Sequence, residues 1–144
     1  MNPFQNSKTI ATQVAFNLTG HGQIILGNIP SKSNCYRIVT FKSKDPTKKT
    51  YAHLAKTKEL VKYEKDFALQ CNVYRNANIE TEFSIVVDFY YPTRRSDLDG
   101  GFKCLMDSLQ EVKAIKNDNL CVEIIAKKYI DALNPRIEFT IKPI

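Results

Sequence analysis

Two acidic residues and a lysine lie close together in the middle of the chain. Asp97 and Asp99 are separated by one residue, and Lys103 follows Asp99 by four positions. Side chains at i and i+2 point the same way on an extended chain, and residues four apart share one face of a helix. At a strand-to-helix junction, the two carboxylates can therefore face one point, with the lysine ammonium within reach of it.

A third acid, Asp118, lies in a polar turn before the next predicted strand. Three carboxylates without a cation repel one another and raise one another's pKa values. A divalent cation removes this repulsion, and Mg²⁺ prefers a few carboxylate oxygens with some water retained. Such an ion beside a phosphodiester activates water and neutralises charge on the phosphoryl oxygens. The three acids therefore predict a magnesium site suited to phosphodiester hydrolysis.

The same turn also has a purely structural interpretation. Ser96 and Asp99 have the spacing of a helix capping box, and acids near a helix start are favoured by the helix dipole. For an isolated pair of acids, capping is the commoner explanation. Only the addition of Lys103 and Asp118 favours the metal site.

Hydrophobic patterns predict the elements that position these residues. Apolar and other residues alternate between Thr81 and Tyr91 and between Arg136 and Lys142, and Cys121–Ile130 is rich in Val and Ile. Two more strands are predicted over Val14–Leu18 and Gln23–Leu26, joined by a hairpin turn at Gly20–Gly22. Helices are predicted over Lys56–Val73 and Asp99–Val112, where apolar residues recur at helical spacing.

This order of strands and helices predicts an α/β fold, a two-layer sandwich of a mixed β-sheet with two main helices. The 144 residues, 43% of them hydrophobic, are enough for one domain with its own core. Residues 1–22 are expected to form an extension or an extra hairpin strand, and residues 30–50 a mobile basic loop. No apolar run of roughly 20 residues and no signal segment is present, so we expect a cytoplasmic protein without a membrane partner.

Positive charge is concentrated in one window of the sequence. The chain has 21 basic and 15 acidic residues, and between Lys32 and Lys65 ten basic residues face only three acids. Clustered positive charge attracts a polyanion and releases its condensed counterions on binding, which favours nucleic acid as the partner. A solvated lysine-rich surface is the alternative interpretation.

The cysteines exclude one class of site. Four isolated cysteines without a C-x-x-C pair, together with only two histidines, are not typical of a zinc site. We expect them to be reduced and mostly buried.

The motifs together resemble the RusA family of Holliday-junction resolvases. The resemblance rests on Arg94–Lys103 (RRSDLDGGFK), on the Asp107-Ser-Leu109 element of the following helix, and on Asn117-Asp118 before a strand that carries Lys128. The segment Gly27–Asn34 is similar to the Pro-Ser-Asn segment after the family's first strand. The resemblance extends over residues 24–142.

The resemblance implies a RusA-like fold and a dimeric, Mg²⁺-dependent endonuclease, with Mn²⁺ as an expected substitute. Such an enzyme makes paired symmetric nicks in four-way DNA junctions during recombination and repair and leaves 5′-phosphates. It implies Asp97, Asp99 and Asp118 as metal ligands and catalytic residues, and Lys103 as the catalytic lysine near the scissile phosphate. The expected DNA-contacting residues are Lys32, Lys42, Lys44, Lys48, Lys49, Arg94, Arg95 and Lys128.

Two positions depart from the family pattern. Gly100 stands where an Asn usually follows the second acid, and Asn117 replaces the first acid of an Asp-Asp pair. The alternative function is therefore a dimer that binds branched DNA but cuts it weakly or not at all. The full set of three acids and one lysine distinguishes the nuclease, since a pure binder does not require it.

Overall fold

The computed structural model describes residues 22–31, 33, 35–41, 44–47, 49 and 51–144. These residues form six strands: β1 (Gln23–Leu26), β2 (Tyr36–Phe41), β3 (Tyr51–Lys56), β4 (Phe83–Tyr91), β5 (Cys121–Ile130) and β6 (Arg136–Pro143). Two α-helices lie within the described residues, α1 (Lys58–Gln70) and α2 (Phe102–Glu111), and a short 3-10 turn covers Asp118–Leu120.

Four strands form a mixed sheet in the order β1-β6-β4-β5. Strand β6 pairs antiparallel with both β1 and β4, whereas β4 and β5 are parallel. The parallel pair needs a crossover, and α2 supplies it. The predicted α/β sandwich with a mixed sheet is confirmed.

The core lies between this sheet and the helices. Alternate residues of β4 point to the helix side, and Phe83, Ile85, Val87 and Phe89 are fully buried there. They pack in one cluster with apolar residues of both helices, namely Leu60, Tyr63, Phe67, Leu105, Met106 and Leu109. This packing fixes α2 against the strand that ends just before the acidic residues.

The helices are shorter than the sequence predicts. Helix α1 begins at Lys58 because Thr57 caps it, with the Thr57 hydroxyl accepting a hydrogen bond from the Leu60 backbone N–H. Lys56, predicted as the helix start, is instead the last residue of β3. Helix α2 begins at Phe102, three residues after the predicted start.

The prediction of a loop over residues 30–50 is wrong for part of that segment. Strands β2 and β3 pair antiparallel as a separate two-stranded sheet. Ile38 lies opposite Leu54, and their side chains are 73% and 68% exposed. A sheet that does not bury one face leaves no clear alternation in its sequence, which explains why the pattern pointed to a loop.

The predicted strand Gln23–Leu26 is confirmed, while the strand predicted over Val14–Leu18 lies outside the described residues. Of the predicted Gly20–Gly22 turn, the structure describes only Gly22. Within the described parts of the chain, no helix is long and apolar enough to cross a membrane.

Candidate active site

The turn between β4 and α2 carries the first two predicted metal ligands. Asp97 and Asp99 are both exposed in this turn. The backbone N–H of Gly100 donates to the Asp97 carbonyl, and that of Phe102 donates to the Asp99 carbonyl. The backbone of this turn is therefore ordered by its own hydrogen bonds, while both acidic residues remain open to solvent.

The carboxylates of this turn do not cap the helix. The N-cap of α2 is Gly101, which has no side chain, and no acidic residue lies in the first turn of the helix. Neither Asp97 nor Asp99 forms a side-chain hydrogen bond or salt bridge within the part of the chain that the structure describes. The capping-box interpretation of Ser96 and Asp99 is therefore wrong.

Tyr91, at the end of β4, connects the two acids to the core. Its hydroxyl accepts a hydrogen bond from the Gly101 backbone N–H at 3.2 Å. Burial raises the pKa of this hydroxyl, and the negative charges of Asp99 and Asp97 raise that pKa further. Both carboxylates therefore lie near enough to this buried tyrosine to act on its ionisation.

Gly101 allows the turn to pack directly on the sheet. A Cβ atom at this position would lie 2.7 Å from Ile29 Cγ2, 3.1 Å from the Tyr91 hydroxyl and 3.2 Å from Phe89 Cε1. Gly100 is less confined, because a Cβ atom there would lie 3.2 Å from the Ser31 hydroxyl. The segment around Ser31, singled out by the sequence, thus lies against the acidic turn.

Lys103 and the third acid form an ion pair. The Lys103 ammonium lies 2.7 Å from Asp118 Oδ2 and 2.9 Å from Asp107 Oδ1. Hydrogen bonding to Lys103 lowers the pKa of Asp118, and the two carboxylates raise the pKa of Lys103. Because β4 and β5 are parallel, the residues after β4 and those before β5 leave opposite ends of the sheet. The side chain of Lys103, in the first turn of α2, therefore bridges part of this separation.

The position of Asp118 is set by two more residues. Its backbone N–H donates to Gln110 Oε1 at 2.7 Å, which ties the residue to α2. Asn117 caps the following 3-10 turn, because its side-chain oxygen accepts a hydrogen bond from the Asn119 backbone N–H at 2.9 Å. Asn117, a departure from the family pattern, therefore has a structural role that an amide performs as well as a carboxylate.

Lys128 holds the other end of the acidic turn. From β5, its ammonium donates to the backbone carbonyls of Arg94 and Ser96. The predicted DNA-contacting residue therefore has its donors directed to the protein backbone just before Asp97. In this structure it acts on the position of the turn.

The other predicted DNA-contacting residues are distributed over two regions. Arg94 and Arg95 are exposed beside Asp97, and Lys44 and Lys49 are exposed in the connection between β2 and β3. Lys32, Lys42 and Lys48 lie outside the described residues. The contacts of all these residues with DNA stay a prediction.

Two residues of this site were given no chemical role from the sequence, although Asp107 belongs to the motif that carries the family resemblance. Asp107 pairs with Lys103 four residues earlier, and this spacing, which places both on one face of the helix, was the available signal. Gln110 lies a further turn along α2, and a polar side chain next to apolar neighbours was its signal. Both residues extend the site along α2.

The three carboxylates predicted to bind the metal ion differ in whether a protein side chain already binds them. Asp97 and Asp99 have side chains available to a cation, whereas Asp118 is engaged by Lys103. Over the described ranges, no three His, Cys, Asp or Glu side chains are close enough together to hold a metal ion. All-oxygen donors of this kind suit Mg²⁺, and a third protein ligand would require Asp118 to exchange Lys103 for the ion.

The comparisons with known proteins identify the family of the chain. No curated protein matches the chain significantly in sequence. The family model described as endodeoxyribonuclease RusA matches residues 38–142, which run from β2 to β6 and include all four predicted catalytic residues. This family supports a nuclease that acts on branched DNA. The chain therefore belongs to the RusA family, the endodeoxyribonucleases that resolve Holliday junctions.

Proposed function

We propose that this chain is a Mg²⁺-dependent endonuclease that resolves four-way junctions by paired symmetric nicks and leaves 5′-phosphates. The observation that carries the proposal is the turn after β4. Two carboxylates without protein partners among the described residues, Asp97 and Asp99, lie there one helical turn before Lys103. A structural role for these acids would leave their oxygens hydrogen-bonded, as those of Asp118 are.

Asp97 and Asp99 would hold the ion, and Asp118 would become the third ligand only after it leaves Lys103 and moves toward the other two acids. Mg²⁺ supplies charge neutralisation and water activation at the phosphodiester when bound. The rest of the site consists of this chain's own residues. Tyr91 and Gly101 hold the turn in place, and Lys128 fixes the carbonyls before it.

Lys103 supplies positive charge next to the acids. Its side chain is 44% exposed, so the ammonium can exchange a carboxylate oxygen for a phosphate oxygen without crossing the core. An ammonium at a phosphate stabilises the charge that develops during phosphoryl transfer. Asp107 then remains as its second partner and keeps the side chain oriented.

Exposed basic residues provide the surface for the DNA backbone. Arg94 and Arg95 adjoin the acidic turn, and Lys44 and Lys49 lie on the β2–β3 connection. Contacts to phosphates position a duplex arm without reading its sequence. Their charges also offset the repulsion between DNA and the carboxylates of the site.

Two nicks at symmetric positions require two copies of the site. A homodimer with two-fold symmetry supplies both copies, and its symmetry matches that of a four-way junction. We therefore propose that the active form is a homodimer.

The test is cleavage of a labelled synthetic four-way junction, with and without Mg²⁺, resolved on a denaturing gel. The wild-type chain should produce paired nicks only with the metal. Asp97→Asn should abolish cleavage while junction binding is retained or strengthened, because the variant removes a negative charge that repels DNA. Asp66→Asn, which changes a partly exposed acid on α1, serves as the matched control and should cut normally.

Two outcomes would contradict the proposal. Wild-type cleavage by Asp97→Asn would remove this residue from the metal site. Junction binding without cleavage in either Mg²⁺ or Mn²⁺ would favour the non-catalytic branched-DNA binder.

A further inference from the structure

Strand β5 forms an edge of the four-stranded sheet, and no other described strand pairs with its outer side. None of its ten residues is buried. Its large apolar side chains are 40% to 51% exposed, namely Val122, Ile124, Ile125, Tyr129 and Ile130. The opposite edge, β1, is only four residues long and is largely buried.

A long apolar edge of this kind offers a row of unpaired backbone N–H and C=O groups. Such edges are normally shortened, covered or paired, because they otherwise recruit other strands. Apolar side chains on both faces of one strand add a hydrophobic driving force for association. Strand β5 therefore has the properties of a strand that pairs with another chain.

We propose that β5 pairs antiparallel with β5 of a second copy of this chain, about a two-fold axis at Ile125, so that the two sheets become one. This pairing gives the proposed homodimer an interface. The role of that interface in paired nicking rests on the proposed function. The pairing itself depends only on β5.

The alternation of side chains restricts the possible registers. With a two-fold axis perpendicular to the sheet, the same face of both protomers' sheets points in the same direction. Residues directly opposite each other in an antiparallel pair also share a face. One residue of β5 must therefore lie opposite itself at the axis. With Ile125 at the axis, Glu123 lies opposite the partner's Lys127, and Lys127 opposite the partner's Glu123.

Charge distinguishes this register from its neighbours. An axis at Ile124 would place Glu123 opposite the partner's Ile125, and an axis at Ala126 would place it opposite the partner's Tyr129. An axis at Lys127 would place two lysines directly opposite each other, which is destabilising. Only the axis at Ile125, among these four, pairs the acid with a lysine.

Both charged residues are available for this contact. Neither Glu123 nor Lys127 forms a salt bridge with a described residue, although Lys127 lies beside Asp88 of β4 in the sheet. On the same face, Tyr129 stacks on Tyr90 with ring centroids 4.9 Å apart, and Arg136 lies over the Tyr90 ring at 3.8 Å. This stack packs on the face of β5 that carries the two charges.

The pairing has a consequence for the two active sites. Because the axis is perpendicular to the sheet, the helices of both protomers lie on the same side of the joined sheet. The Lys103–Asp118 pairs of both copies, which join α2 to the 3-10 turn, therefore lie on one side as well. Two sites on one side can act on a single junction.

Sedimentation of the full chain at micromolar concentration tests the interface without DNA. Wild type should be a dimer, and Glu123→Lys or Lys127→Glu alone should raise the dissociation constant about tenfold or more, because each places like charges opposite each other. The double variant Glu123→Lys/Lys127→Glu should restore dimerisation. Glu82→Lys and Lys65→Glu, at exposed positions off β5, are the matched controls and should dimerise as wild type does.

Cysteine cross-linking tests the register. Ile125→Cys should form a disulfide between protomers on oxidation, since Cα atoms opposite each other in an antiparallel pair are about 4.5–5.5 Å apart. Val122→Cys, similarly exposed, should not, because it lies opposite the partner's Lys128.

The proposal is overturned if the wild-type chain is monomeric. It is also overturned if the double charge reversal does not restore the dimerisation that the single reversals weaken. Failure of Ile125→Cys to cross-link would also overturn it. None of these readouts depends on nuclease activity, so an inactive but correctly paired dimer would contradict only the proposed function.

Discussion

At the scale of single residues, the acids of the site differ in what surrounds them. Asp118 is held by Lys103 and tied to α2 through Gln110, whereas Asp97 and Asp99 are exposed on a turn with an ordered backbone. Asp118 is therefore stabilised by an ion pair, whereas Asp97 and Asp99 retain carboxylate oxygens that a cation could bind.

Lys103 should matter more for the chemical step than for binding. Lys103→Ala should slow single-turnover cleavage about a hundredfold, which corresponds to roughly 3 kcal/mol of transition-state stabilisation. Junction affinity should change far less, because one exposed ammonium contributes little to total phosphate attraction. Quenched-flow cleavage at saturating protein, beside a binding titration, measures both. A binding defect with normal single-turnover cleavage would return Lys103 to the general basic surface.

The ion pair also predicts a pH dependence of stability. Lys103 lowers the pKa of Asp118, so this carboxylate stabilises the fold above its unfolded pKa of about 4 and loses that contribution as pH falls through its folded pKa. The pKa of Lys103 is raised, so its contribution is present below about pH 10 and is lost as pH rises through the folded pKa.

Asp118→Asn should therefore be less stable than wild type between about pH 4 and pH 10 and should approach wild type below that window. Chemical denaturation at about pH 3 and about pH 7 measures the difference. A deficit of equal size at both pH values would show that the carboxylate's charge is not what stabilises this part of the fold.

At the scale of elements, the site depends on how closely α2 begins against β4. Gly101 is the residue that makes this contact possible, because Ile29, Phe89 and Tyr91 leave no room for a Cβ atom. Lys128, from β5, binds the carbonyls at the other end of the same turn. Contacts from β4, α2 and β5 thus together position the exposed carboxylates of Asp97 and Asp99.

Gly101→Ala should destabilise the protein by about 1–3 kcal/mol, because the added methyl group must displace core side chains. The same variant should weaken cleavage, since the start of α2 moves with the turn. Gly100→Ala is the matched control: its Cβ would lie 3.2 Å from the Ser31 hydroxyl and 3.3 Å from the Asp97 carbonyl oxygen, with no contact under 3.0 Å, so stability should change by less than about 1 kcal/mol. Thermal unfolding of both variants measures the contrast, and equal stability losses would contradict the packing argument.

At the scale of the whole molecule, most of the positive charge and the acids of the site come from different segments of the sequence. The chain carries a net charge of +6, and much of its basic excess lies around β2, β3 and α1. The carboxylates lie between β4, α2 and β5. Exposed lysines of the β2–β3 connection can therefore be replaced without changing a residue of the acidic turn.

Lys44→Ala/Lys49→Ala should weaken binding to all DNA shapes and lower the slope of log affinity against log salt by about two. Cleavage of the bound complex should hardly change, because these exposed lysines are far in sequence from the acids and act through phosphate attraction alone. Salt-titrated binding beside single-turnover cleavage measures this. An unchanged salt slope would show that the β2–β3 connection does not contact phosphates.

Local patterns in the sequence determined much of this protein. Alternation of apolar residues located β4 and β6, Val and Ile enrichment located β5, and helical spacing located α1 and α2. The spacing of Asp97, Asp99 and Lys103 at a strand-to-helix junction, together with Asp118 before the next strand, indicated the candidate site. These features were predictable because each depends on residues close together in the chain.

Contacts between distant residues could be decided only by the tertiary structure. The β2–β3 sheet was missed because it buries no face. The capping box stayed an alternative until the structure showed Gly101 at the start of α2, because its spacing is the same in a turn that caps nothing. The pairing of Lys103 with Asp118 and of Lys128 with the carbonyls of the acidic turn joins residues 15 to 34 positions apart. Sequence spacing carries no information about such pairs, because packing of α2 and β5 against β4 determines which side chains meet.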